Sequence, residues 1–91
     1  MTEKKALPPV NFSSFIVSLA SSAMISLGEM PEPSSGESRV DLDMARHTID
    51  LLGVLIEKTE GNLDDDEKQL IQTVVYELRL KFMDKERQAA D

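Results

Sequence analysis

Residues 11–28 read NFSSFIVSLASSAMISLG, a run without one charged side chain. At about 100° per residue, Phe15, Leu19, Phe12, Ala23, Ile16, Leu27, Ala20, Met24 and Val17 share one arc of about 200°. Ser13 and Ser26 interrupt that arc. The opposite side is Ser14, Ser18, Ser21 and Ser22, with Ile25 among them. A surface helix needs an apolar stripe of only about 100° and normally carries charge on its back. Here the stripe is broader and the back is hydroxyl, which is buried at little cost when it bonds the carbonyls of the preceding turn. Ser14, Ser18, Ser22 and Ser26 also form an i, i+4 ridge of small side chains along which another helix can approach closely. The segment reads as a helix, capped by Asn11 and ending at Gly28, whose broad arc needs more cover than a two-helix hairpin offers.

Lys4 and Lys5 precede this run, so a secretory signal and a membrane span are the alternatives. A signal core is compact and Leu-rich, whereas Pro8, Pro9, Asn11 and six serines interrupt this one. A span needs about 20 predominantly apolar residues, and the run is too polar for that. Both are set aside.

Outward from this helix the punctuation is plain. Residues 1–10 are a polar tail containing Pro8-Pro9, expected to be flexible and extended. Residues 29–40 hold Pro31, Pro33, Ser34, Ser35 and Gly36 and form a linker. A second helix follows Asp41 as cap and runs over about 42–59. Leu42, Ala45, Ile49, Leu52, Ile56, Leu51, Leu55, Met44 and Thr48 fill one half of its wheel; Asp43, Arg46, His47, Asp50, Glu57 and Lys58 fill the other. After the turn at Gly61, Asp64-Asp65-Asp66-Glu67 fits a capping box for a third helix over about 65–83. Its core stripe is Leu70, Ile71, Val74, Val75, Leu78 and Phe82, and Glu77 and Lys81 have the spacing of an ion pair. A second patch, Tyr76, Leu80 and Met83, lies on its far side, and residues 84–91 are expected to fray. The short connection between helices 2 and 3 implies an antiparallel hairpin. Residues 11–83 are thus expected to form one all-α, three-helix domain with helix 1 on that hairpin. The longer linker also admits a domain swap that places helix 1 on a neighbour's hairpin.

Composition bounds the function. The chain has 91 residues, 41% apolar and 4% aromatic, with no Trp. Its core is therefore aliphatic and small, the situation in which domains often gain stability by associating. There is no Cys, so disulfides, thiolate metal sites and cysteine nucleophiles are excluded, and a reducing cytoplasm is the natural setting. The net charge of −7 disfavours nucleic acid and anionic membranes. That acidity is concentrated over residues 29–67 and reads as a solvated surface.

No constellation of reactive residues survives inspection. EF-hand loops started at Asn62 or Asp64 lack the Gly and Glu that calcium loops place at their sixth and twelfth positions. The acids are explained as helix-capping groups. His47 and Asp43 lack a further His or Cys with which to hold a metal. Asp50 and Glu57 sit among Arg46 and Lys58 on a charged face rather than in a cleft. No phosphate loop or nucleophile elbow occurs, and no cofactor is expected.

Several short strings carry a resemblance by their order and spacing. They are Phe12-Ser13-Ser14-Phe15, Ser22-Ala23, Leu27-Gly28-Glu29 with Pro31-Glu32-Pro33, and Thr48-Ile49-Asp50-Leu51-Leu52. Glu57-Lys58-Thr59-Glu60-Gly61-Asn62-Leu63 and Tyr76-Glu77-Leu78-Arg79 complete them. Over roughly residues 7–83 the chain resembles domain of unknown function 1844, a family of short bacterial proteins. The resemblance implies bacterial origin and a compact helical fold, and it carries over no activity, ligand or catalytic residue.

The expectation is a non-enzymatic, self-associating interaction module, most simply a homodimer. Its contacts are expected at Phe12, Phe15, Ile16, Leu19 and Ser22 of helix 1 and at Tyr76, Leu80 and Met83 of helix 3. The alternative is an adaptor holding a heterologous helix or an apolar small molecule in a groove beside helix 1.

Overall fold

A computed structural model of the chain describes residues 7–90. Within that range the chain forms α1 (Phe12–Ser26), α2 (Leu42–Lys58) and α3 (Asp65–Ala90), each packed against the other two. The architecture is the expected all-helical, three-helix unit. Of the expected tail at 1–10, residues 1–6 lie outside the described residues.

Helix starts follow local chemistry. The Asn11 side chain accepts the Ser14 backbone N–H at 2.9 Å, and Ser14 Oγ accepts from the Asn11 N–H in return. Asp41 Oδ1 accepts the Met44 N–H at 3.1 Å. Asp64 and Glu67 exchange bonds of 2.8 and 3.0 Å, the reciprocal capping box read from their spacing. Each cap satisfies N–H groups that a first helical turn leaves unpaired.

The end of α1 determines where α2 begins. Gly28 takes φ of +77°, its N–H bonds Ile25 O at 3.0 Å, and the Glu29 N–H bonds Met24 O at 2.9 Å. This reversal satisfies the last carbonyls of α1 and turns the chain back. The linker then folds on itself, and Val40 bridges antiparallel to Leu27 while the Asp41 N–H bonds Ser26 O at 2.7 Å. Helix α2 therefore starts beside the end of α1 and runs back along it, and α1 lies on its own hairpin. The arrangement described is unswapped.

Ile16 and Ala23 of α1 and Leu27, its C-cap, meet Ala45, Ile49 and Leu52 of α2 and Ile71, Val75 and Leu78 of α3 in one buried cluster. Thr48 is the buried polar residue, and its hydroxyl donates to Met44 O at 3.1 Å. Phe12, Leu19, Met24, Leu55, Val74 and Phe82 pack around the cluster half-buried.

Helix α3 differs from expectation at its far end, continuing through Ala90 rather than fraying after Met83. Two ion pairs to distant parts of the same chain meet the added turns. Glu86 pairs with Arg46 of α2 at 3.2 Å, and Lys85 pairs with Glu29 at the base of the linker at 3.3 Å. The Arg46 guanidinium also lies 5.2 Å from the centre of the Phe82 ring. The expected Glu77–Lys81 pair is not among the ion pairs of the described residues. Lys81 instead lines the seam between α1 and α3 with Ala20 and Met24, where its alkyl stem packs on apolar surface.

Candidate interaction surfaces

Burial separates the eight expected contact residues into groups. Ile16 is fully buried in the chain's own core, which corrects its placement at a partner surface. It sits at the centre of the apolar arc of α1, and α2 and α3 close over that centre from both sides. Phe12 and Leu19 are half-buried against the core, while Phe15 and Ser22 are exposed. Tyr76, Leu80 and Met83 are 65%, 45% and 52% exposed. The arc of α1 is thus covered in the middle and open at its edges, Phe15 on one side and Val17 on the other.

The edge at Phe15 continues onto α2. Leu19, Ser22 and Ile25 of α1 and Met44, His47, Thr48 and Leu51 of α2 line an open groove of about 460 Å3, with Glu32 and Pro33 of the linker at its rim. Met44 is 51% exposed and Val54, one turn past Leu51, is 50% exposed. The wheel of α2 assigns Met44 and Leu51 to the core half, so the sequence reading missed them as surface. A wheel shows that a side is apolar; it does not show how far the neighbouring helix reaches across it. The available signal was the width of that half, nine residues where a stripe of about 100° suffices for one core.

The serine ridge has a different role at each step. Ser14 belongs to the N-cap and its hydroxyl also donates to Pro9 O, Ser18 Oγ donates to Ser14 O at 3.0 Å, and Ser22 lies in the groove wall. The Ser26 carbonyl receives the first N–H of the returning chain. The hydroxyls are used locally, as packing residues and caps.

The second surface is the outer side of α3. Tyr76, Leu80 and Met83 lie roughly 140° around the helix from Ile71, Val75 and Leu78. They therefore point away from α1 and α2. The molecule is 16 Å across its thinnest direction between Cα atoms, about the span of two stacked helices.

Neither surface brings reactive groups together. The outer side of α3 carries alkyl, aryl, amide and hydroxyl groups, and the groove adds a single imidazole, His47, and a single carboxylate, Glu32. Among the described residues no group of three or more His, Asp or Glu is placed to hold a metal ion. No helix of the described residues is long and apolar enough to cross a membrane.

No curated protein and no solved structure is significantly similar to the chain. A family model described as domain of unknown function (DUF1844) matches residues 9–84, a span that takes in the groove and the apolar patch of α3. With that match over most of its length, the chain belongs to the DUF1844 family.

Proposed function

We propose that this chain is a non-enzymatic interaction module that self-associates, most simply as a two-fold homodimer, and works in the bacterial cytoplasm. The observation that carries this reading is the alignment of its exposed apolar side chains. Tyr76, Leu80 and Met83 follow one another over two turns of α3, and each is about half exposed or more. Scattered exposed apolar residues are ordinary on a monomer, but an aligned group marks a contact surface. The small aliphatic core and the absence of Cys support the same reading, since an associating domain needs less internal stability and a chain without disulfides suits a reducing compartment. Light scattering on the eluting full chain tests it. Twice the 10.1 kDa chain mass is expected, and a monomer at high micromolar concentration refutes the proposal.

The α1/α2 groove favours a second role beside self-association, an adaptor site for a heterologous apolar helix or small apolar molecule. Its volume falls within the roughly 300–1,000 Å3 of small-ligand sites. Binding of an apolar reporter dye that is abolished by Leu51→Glu and untouched by Leu80→Glu is the expected result. Equal loss in both variants, or no binding, sinks the adaptor role.

A further inference from the structure

The outer side of α3 has a pattern that extends beyond its three apolar side chains. Gln69, Thr73, Tyr76, Leu80, Met83 and Arg87 recur at alternating steps of four and three, the repeat that keeps one line of a helix turned toward another helix. From Gln69 to Met83 that line carries no charge, and its two ends carry opposite charges. Asp65 and Asp66 stand at the start of α3, and Arg87 lies near its end. We propose that this line is the contact between two copies of the chain, α3 against α3 in antiparallel orientation, with Tyr76 at the two-fold axis. The inference rests on the self-associating reading above and specifies the face and orientation it uses.

Two physical arguments select this arrangement. The first is shape. A two-fold contact joins a surface to itself, so the surface must be self-complementary. A straight helix ridge meets that condition, and the concave α1/α2 groove does not. At about 1.5 Å per residue the 26-residue α3 is about 39 Å long against about 26 Å for the 17-residue α2, which makes it the longest straight edge of the molecule. The second argument is charge. Antiparallel pairing about Tyr76 sets Thr73 opposite Leu80 of the other copy and Gln69 opposite Met83. It also sets Asp65 opposite Arg87, Glu67 opposite Lys85 and Lys68 opposite Asp84, which outnumber the one like pair, Asp66 opposite Glu86. Parallel pairing would place Asp65, Asp66 and Arg87 against their own copies, like charge on like charge. Within one chain Arg87 pairs with Asp84, with side chains 77% and 57% exposed, so that pair is weak and leaves the guanidinium free to reach a second carboxylate.

Because the sequence has no Cys, single-cysteine variants of the full chain report one position each. Gln69→Cys, Tyr76→Cys and Met83→Cys are oxidised separately and in mixtures, then run without reductant. In the antiparallel pair residue 76 meets its own copy, so Tyr76→Cys links to itself. Residues 69 and 83 each lie about 21 Å from their own copy along the helix, far beyond disulfide reach. Gln69→Cys and Met83→Cys should therefore stay unlinked alone and form the linked dimer when mixed. All three sites are on the exposed side of α3, and the mixture keeps Tyr76 and Leu80 in place. Self-linking at all three positions overturns the antiparallel contact. So does a wild-type dimer in which neither Tyr76→Cys nor the mixture links, and self-association then stands on another face. A wild-type monomer overturns both.

Discussion

Replacing Ile16 by Ala tests how α1 is seated. Ile16 is fully buried in the cluster that Ala45, Ile49 and Leu52 of α2 and Ile71, Val75 and Leu78 of α3 form with it, where all three helices meet. Ala removes the branched end of the side chain from a site that two helices already close, so the gap relaxes only in part. Changes of this kind cost about 2–5 kcal/mol, and the middle of that range, about 3 kcal/mol, is expected here. A chain of this length holds about 5–14 kcal/mol in all, so the loss is a large share of its stability. Neighbouring Phe15 is half exposed, so Phe15→Ala should cost under about 1 kcal/mol. Far-UV circular dichroism in urea is the assay, since Tyr76 is the only tyrosine and there is no Trp. With a slope of about 1–2 kcal/mol per molar urea, Ile16→Ala should lower the midpoint by about 1.5–3 M. The measurement is made at two protein concentrations, because a contact between copies makes stability depend on concentration and a core contact does not. The reasoning is refuted if Phe15→Ala costs as much as Ile16→Ala. It is equally refuted if the Ile16→Ala loss disappears on dilution, which would place Ile16 between copies.

Two further outcomes follow from the backbone. At Gly28 a Cβ would stand 2.8 Å from Val40 Cγ2 at φ of +77°, whereas at Gly36, with φ of +74°, nothing lies within 4 Å. Both Ala variants bear the left-handed strain of about 1–2 kcal/mol, and Gly28→Ala should cost measurably more in urea melts because it also pries the Leu27–Val40 bridge apart. Asp64→Ala removes one side of the α3 capping box and should cost about 1 kcal/mol in the same melts, with Asp64→Asn nearly neutral. An equal loss for Asn and Ala would show that charge at the helix start matters more than the bond to the Glu67 N–H.

Much of the fold was legible because its causes are local. Asn11, Asp41 and Asp64 cap the three helices through side chains that reach only three residues along the chain. Gly28 sits at the turn out of α1 because the reversal needs a left-handed backbone there. The apolar positions Ile49, Leu52, Ile71, Val75 and Leu78 were identifiable as core because helical period places them on the inward side of their own helices. The exposed apolar surfaces were only partly legible. Tyr76, Leu80 and Met83 read as an outward patch because Ile71, Val75 and Leu78 had already claimed the other side of α3. Met44 and Leu51 were missed and Ile16 was misplaced because a wheel records direction around one helix and contains no distance to the next.

The sequence by itself determined that this chain is three capped helices with more apolar surface than one small core absorbs, since propensity, capping and period all act within a few residues. Only the tertiary structure decided which apolar residues are left over. The Leu27–Val40 bridge returns α2 along α1, the two helices close over Ile16, and the far ends of α3 and the linker are tied by Glu86 to Arg46 and Lys85 to Glu29. Those ties join residues far apart in the chain. Their geometry sets how far each helix covers its neighbour, and so leaves the α1/α2 groove and the outer line of α3 open.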